Sequence, residues 1–263
     1  MLALIAGSGG LPAHVAAARS ERPLICALEG YAPDGLAPDM SFRIEKFGSF
    51  LKDLRKRGVT EVCLCGAVAR PRVDLKAIDM ATLPLVTQMQ KGLQAGDDGA
   101  LRVVLDILAS KGFTVRAAHE LAPGLLAPPG VLSRAQPDKA MRADVDRAVA
   151  VLDALAPHDV GQGCVVGAGQ VAAIETIGGT DHMLATLPKI AARLRAVLVK
   201  RPKRGQDRRV DLPTVGPATL DAIQAAGLAG LVIDAGDVLL LDRDEAIARA
   251  DRHGLVLWSR DPR

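Results

Sequence analysis

The chain has 263 residues and a mass of 27.5 kDa, is 49% apolar and 24% charged, and so is neither disordered nor too small to bury a core; it fits one large or two modest domains. Its 33 basic residues are spread among 30 acidic ones for a formal net charge of +3, with four Phe, one Tyr and one Trp. That excludes a nucleic-acid footprint, which needs a basic cluster and stacking aromatics, and four Cys at this length do not make a disulfide framework, so a reducing compartment is expected.

In chain order, residues 2–6 are a continuous apolar run, as a parallel strand buried on both faces requires. The run lacks a basic flank and is cut short by Gly7-Ser8-Gly9-Gly10, so it reads as a first strand and not as a signal peptide. Pro12 sits where a first helical turn tolerates it, and the helix runs to about Ser20. A second strand follows at 24–28, a basic amphipathic helix at 50–57 closed by Gly58, and a third strand at 62–68. Asp97 and Asp98 open a helix with the charge its N-terminus favours; Leu101, Val104, Leu105 and Leu108 continue it at helical spacing, and Gly112 ends it before a strand at 113–117. This alternation predicts an α/β fold with a Rossmann-like, parallel-sheet N-terminal domain over 1–128.

Pro123, Pro128, Pro129 and Pro137 with Gly124 and Gly130 cannot be helix interior, and they predict a linker at 129–138. Residues 139–263 then form a second α/β domain with a mixed sheet. Its predicted helices are 139–155, 183–198 with a kink at Pro188, 217–226 and 244–253. A hairpin joins 165–166 to 171–175 across Gly167-Ala168-Gly169, a polar loop covers 210–216, and strands lie at 231–233, 238–241 and 255–258. No run of about 18 uninterrupted apolar residues is present, so no transmembrane helix is expected and the protein is expected in the cytoplasm.

Several patterns carry chemistry, each beside a plainer reading. Gly7-Ser8-Gly9-Gly10 between strand and helix lets backbone N–H groups approach a phosphate, or is a tight turn that needs glycine for sterics alone. It is no Walker loop, and Pro12 stands where a dinucleotide fingerprint wants its third glycine, although Glu29 occupies the region of a ribose-binding carboxylate. Gly96-Asp97-Asp98-Gly99 places two carboxylates at a sheet mouth or simply caps a helix. Cys63 and Cys65 on one strand face read as small buried hydrophobes. The charged stretch from Lys200 to Thr214 is a solvated loop, or its Lys and Arg with Asp207, Asp211 and Thr214 suit a polyanion and a divalent cation; carboxylates without His or Cys favour Mg²⁺ or Mn²⁺. Spacing alone reaches a two-domain protein that binds a phosphorylated ligand.

Six stretches carry a resemblance. They are Leu4-Ile5-Ala6-Gly7-Ser8-Gly9-Gly10-Leu11-Pro12, Gly66-Ala67-Val68-Ala69-Arg70-Pro71, Gly96-Asp97-Asp98-Gly99-Ala100-Leu101, Asp159-Val160-Gly161-Gln162-Gly163, Gly179-Thr180-Asp181, and Arg209-Val210-Asp211-Leu212-Pro213-Thr214-Val215-Gly216. In this order and separation they resemble the two-domain UDP-2,3-diacylglucosamine pyrophosphatases of lipid A synthesis, a family unrelated to the calcineurin-like enzymes. The resemblance implies hydrolysis of the substrate's pyrophosphate by water at the α-phosphorus, with Mg²⁺ or another divalent cation, giving UMP and 2,3-diacylglucosamine 1-phosphate. It makes the second domain catalytic, with the lipid product between the domains.

The resemblance makes catalysis depend on Asp211 and sets Gly10, Gly66 and Ala67 near the ligand. From the residue types, Asp211 is expected to bind the metal or orient the attacking water, with Thr214 as a further catalytic group and Asp97 and Asp98 as further metal ligands; Gly9, Leu11, Gln162, Thr180 and Asp181 are expected at the substrate, and Lys200, Lys203 and Arg209 are expected to neutralise phosphate charge. Ala67 stands where many members carry a polar residue, so this position offers its backbone. Residues 7–10 and Asp211 are expected to grip opposite ends of one diphosphate-linked lipid across a groove. The implied partners are a lipid-linked UDP-sugar, the inner face of the inner membrane by transient contact, and a second copy of the chain through its second domain; nucleic acid is not one. The rival readings are an NAD-dependent oxidoreductase, from residues 7–10 and Glu29, and a non-catalytic nucleotide-sugar binding protein.

Overall fold

The computed structural model describes residues 1–69, 73–94 and 96–262, and of residues 93, 94 and 96–98 only the helical backbone. The chain forms two compact units. The first comprises Met1–Pro123 with Asp207–Val210, the second Gly124–Gln206 with Asp211–Arg263. Both are α/β, as the alternating pattern predicts.

The first unit begins with β1 (Leu2–Ala6), α1 (Leu11–Ala17), β2 (Leu24–Leu28), β3 (Met40–Phe42), α2 (Phe47–Lys56) and β4 (Glu61–Cys65). It continues with α3 (Val86–Gln94), α4 (Gly96–Ser110), β5 (Thr114–Val115) and α5 (Ala118–Leu121). The sheet has the order β3-β2-β1-β4-β5 with every pair parallel. The central strand β1 holds Ala3, Leu4 and Ala6 at no more than 1% exposure, which is why its sequence is apolar without alternation. α2 turns Phe47, Phe50, Leu51 and Leu54 inward, and Phe42 stacks on Phe50 with ring centroids 3.9 Å apart. All four Phe belong to this cluster with Tyr31 packed against it, whereas Trp258 lies in the second unit.

Strands β2 and β3 build outward from one side of β1, and β4 and β5 from the other. The order therefore reverses between β1 and β4, where doubly wound sheets open a crevice at their carboxyl ends. The loops leaving these two strands are pressed together. Ser8 and Ala67 exchange N–H···O bonds of 2.9 Å each, and the Gly7 N–H donates to the Cys65 carbonyl at 2.8 Å. A Cβ on Gly7 would fall 2.5 Å from the Ala67 oxygen, and one on Gly66, whose φ is +92°, 2.6 Å from the Gly7 oxygen. Both glycines answer to this backbone-to-backbone approach.

The second unit contains β6 (Gly130–Val131), α6 (Lys139–Leu155), β7 (Gly163–Gly167), β8 (Gln170–Ile174), α7 (Gly179–Ala185) and α8 (Ile190–Arg193). Then come β9 (Val197–Lys200), β10 (Thr214–Val215), α9 (Pro217–Ala225), β11 (Gly230–Asp234), β12 (Leu239–Leu240), α10 (Arg243–His253) and β13 (Val256–Arg260). Its main sheet has the order β6-β13-β11-β9-β7-β8. β9, β11 and β13 pair in parallel, whereas β6 joins β13, and β7 joins both β9 and β8, antiparallel. Alternate residues separate the faces. Val165, Leu198, Leu231, Ile233 and Leu257 pack with Met183, Leu184, Leu220 and Ile223. Cys164, Val166, Val197, Val199, Val232 and Val256 pack with Met141, Val145, Ala148 and Leu152 of α6.

Several sequence expectations are corrected. The helix expected over 183–198 is two short helices and a strand: α7 ends at Ala185, Pro188 lies in the break, and Val197–Lys200 is the buried strand β9. Proline removes a helical donor, and the run Val197-Leu198-Val199 is fully buried, with two β-branched valines around the leucine. The strand expected to Val68 stops at Cys65, because Gly66 has left extended geometry. The polar loop expected at 210–216 contains β10, which pairs in parallel with β12. Within the Pro-rich stretch 122–138, β6 completes the edge of the second sheet. The expected hairpin is present as β7–β8. Its turn residues Ala168 and Gly169 have φ of 48° and 74°, and the Asp144 carboxylate accepts both their N–H groups, at 3.0 and 2.6 Å.

Two predictions follow from the first unit. Glu45, 4% exposed, accepts the Asp74 N–H at 2.9 Å and Arg43 Nε at 3.2 Å. The backbone bond first, then the guanidinium, pull its carboxyl down to about 2 from 4.5. A depressed acid stabilises the fold above its unfolded value and loses that contribution as pH falls through its folded value. Glu45→Gln should therefore cost on the order of 1–3 kcal/mol at pH 7 in urea titrations, and the gap to wild type should close between about pH 4.5 and 2; a gap independent of pH contradicts this. Gly66→Ala, with positive φ and backbone in the way, should cost about 2 kcal/mol or more in the same measurement. A neutral result would mean that the two loops separate freely.

Candidate active site

In the second unit the carboxyl end of β9 and the amino end of β7 lie side by side, because Lys200 pairs in register with Gly163. Lys200 continues the face of Leu198, and Arg201, one residue on, turns to the α6 face. There Arg201 Nη1 bonds Asp153 of α6 at 2.9 Å, while Arg201 Nε and Arg260 Nε hold Asp234 at 2.9 and 2.6 Å. Asp234 is 2% exposed in its side chain, so this network fixes the ends of three parallel strands and consumes its own charges.

On the opposite face, Lys200 is 8% exposed and donates from Nζ to Thr180 Oγ1 at 2.5 Å. The Glu175 carboxylate, just past β8, lies 3.9 Å from the same Nζ. Beside this pair runs a chain of amides. The Arg201 N–H bonds the Gln162 carbonyl at 2.9 Å, Gln162 Nε2 donates to Gln206 Oε1 at 3.0 Å, and Gln206 Nε2 donates to Asp211 Oδ2. Gln206 Oε1 also accepts the Lys203 N–H at 3.0 Å, and Lys203 Nζ pairs with Asp159. Four residues named from the sequence, Gln162, Thr180, Lys200 and Asp211, thus meet at one end of one sheet. Asp181 is exposed in the first turn of α7, and Thr214 lies in β10 with Oγ1 3.4 Å from the Leu212 carbonyl.

The first unit brings together Gly9, Gly10, Leu11, Gly66 and Ala67 at the reversal between β1 and β4. The Gly9 carbonyl accepts the Asp34 N–H at 3.2 Å, and the Gly10 carbonyl receives the His14 N–H at 3.2 Å. The N–H groups of Ser8 and Ala67 each donate to the other residue's carbonyl, so the crevice is framed by loops that are fixed to one another. Arg209 belongs to this unit and not to the lysine cluster. It forms a two-point pair with Asp207, which holds the Asp207 carboxyl below its usual range and raises Arg209. The side chains of Asp97 and Asp98, and residues Arg70 and Pro71, lie outside the described residues.

All four Cys are buried and free, and burial pushes Cys26 up to about 12 and Cys164 up to about 11; Cys65 is raised first by its bond with Cys63. They are thiols packed as hydrophobes. Among the described residues no three His, Cys, Asp or Glu side chains gather as a metal site. Two residues of the cluster, Glu175 and Gln206, carry no motif position in the sequence. Glu175 could have been sought as the counter-charge that a lysine following a buried apolar strand requires; Gln206 had no such signal.

Family models cover both units, the LpxI N-terminal domain over residues 1–125 and the LpxI C-terminal domain over residues 128–258. The UDP-2,3-diacylglucosamine pyrophosphatase LpxI of Caulobacter vibrioides is 38% identical over 273 aligned positions, which span 99% of this chain and 98% of that protein. With both halves matched and the full length aligned, the chain belongs to the LpxI family.

Proposed function

We propose that this chain hydrolyses the diphosphate of UDP-2,3-diacylglucosamine with water, yielding UMP and 2,3-diacylglucosamine 1-phosphate. The observation that carries the reading is the cluster at the end of β9, where the buried Lys200 ammonium is held on Thr180 and the residue after it bonds the amide chain that runs from Gln162 through Gln206 to Asp211. Its support is the full-length alignment with a relative of that activity.

The chemistry follows from the groups present. A diphosphate ester gains charge on its leaving phosphate as the bridging bond lengthens, so the site must neutralise charge and orient water. Lys200, fixed on Thr180, offers its ammonium to phosphate oxygens. Asp211 orients the attacking water and accepts its proton, and Gln206 sets the plane of that carboxylate. The acyl chains come from a bilayer, so transient contact with a membrane surface is part of the proposal; no helix among the described residues is long and apolar enough to cross one.

The donor set fits a hard cation held largely by substrate. Mg²⁺ takes one or two carboxylates together with phosphate oxygens and water, and Asp211, held by the Gln206 amide, is the carboxylate proposed to bind it. When bound, the ion neutralises charge on the diphosphate.

Asp211→Ala is the test, assayed by UMP release from UDP-2,3-diacylglucosamine with the thermal transition followed in parallel. Loss of a group that moves a proton in the transition state should lower kcat by about a hundredfold or more without shifting the transition. Activity within a few-fold of wild type would remove Asp211 from the mechanism.

A further inference from the structure

We propose that Glu175 is a positioning residue for this reaction: it supplies the counter-charge that keeps the Lys200 ammonium in place, while leaving that ammonium's protons to Thr180 and the ligand phosphate. The inference rests on the functional reading above and assigns a role to a side chain which that reading does not use.

Three observations carry it. The first is distance. Glu175 Oε1 stands 3.9 Å from Lys200 Nζ, close enough for ionic attraction and too far for a hydrogen bond, whereas Thr180 Oγ1 is at 2.5 Å. A carboxylate in contact would take one of the three ammonium protons; at this distance it takes none.

The second is the state of the other oxygen. Glu175 Oε2 is buried and has no hydrogen-bond partner among the described residues. A buried acceptor left unpaired destabilises a fold, so its own bonds do not explain why the carboxylate is there. Its charge does, because Lys200 side-chain exposure is 11% and an ammonium out of water needs a nearby anion.

The third is the frame around it. A Cβ on Gly161 would lie 2.0 Å from the Glu175 carbonyl oxygen, and one on Gly163 would lie 2.6 Å from Glu175 Oε2. The Glu175 N–H also donates to the Gly163 carbonyl at 2.8 Å. The two glycines of Gly161-Gln162-Gly163 thus make the space in which Glu175 sits, and the residue between them leads to Gln206 and Asp211. The other charged groups on neighbouring elements are committed elsewhere or face solvent. Arg201 and Arg260 are held by Asp234 on the opposite face, Lys203 pairs with Asp159, and Asp181 and His182 of α7 are exposed.

A double-mutant cycle in the full-length protein tests the role, with Glu175→Gln, Lys200→Met and the pair read in two assays: UMP release, and affinity for inorganic pyrophosphate by calorimetry. Glu175→Gln should lower kcat/KM and pyrophosphate affinity about tenfold when Lys200 is present and less than about twofold when it is Met, the non-additivity of residues acting as one unit. Equal losses in both backgrounds, or no loss in either, overturn the proposal. A wild type that binds pyrophosphate through Lys200 but releases no UMP overturns the functional reading, while the affinity cycle still decides the role of Glu175. If Glu175→Gln does not fold, Gly163→Ala takes its place, since the added methyl must push the carboxylate aside without removing its charge; the same dependence on Lys200 is expected.

Discussion

A single buried ammonium organises the second unit. Lys200 ends a strand whose other residues are fully buried, so its charge leaves water with the strand. An isolated cation there would cost several kcal/mol, and the surrounding sequence reads as the answer to that cost. Thr180 is set at the first turn of α7 to accept a proton. Glu175 ends the neighbouring hairpin on the same face. Gly161 and Gly163 have no side chains because the glutamate occupies that volume. The amide chain to Asp211 starts from the residue between them.

The first unit is organised by a different constraint, the contact of two loop backbones. Gly7 and Gly66 let the chain leaving β1 touch the chain leaving β4 at the point where strand order reverses. The glycine turn that resembles a phosphate loop is therefore in part a joint: the N–H groups of Ser8 and Ala67 are spent on each other's carbonyls, and the ones that could meet a ligand begin at Gly9. The spacing of a dinucleotide fingerprint fails at Pro12, the second residue of the short helix α1, where a missing backbone donor costs little.

What could be read in the sequence follows the physics of each element. Central strands such as β1 and β9 are apolar because they are buried on both faces, yet only β1 is recognisable beforehand. Around β9, the leucines and alanines before and after Pro188 imitate helical periodicity, and burial by both sheet neighbours decides the outcome. Three-residue β3 and two-residue β6 and β10 are too short to show a period at all. At the site, Gln162, Thr180 and Asp211 lie in stretches that carry the resemblance and Lys200 in the charged stretch that follows β9, and hydrogen bonds link them at one end of the sheet. Arg209 stays with Asp207 in the other unit, a partner two positions away that spacing alone cannot rank above a phosphate. Glu175 escapes notice because a lone acid after a strand has no motif; its meaning appears only when the register of β7 and β9 brings Lys200 beside Gly163.

Phosphorus NMR of the purified protein with UDP-2,3-diacylglucosamine tests the central claim most directly. The account predicts that the two diphosphate resonances disappear together and are replaced by two phosphomonoester resonances of equal intensity, those of UMP and the sugar 1-phosphate. Persistence of the diphosphate signals, or their conversion to free UDP through cleavage at the sugar, would contradict it.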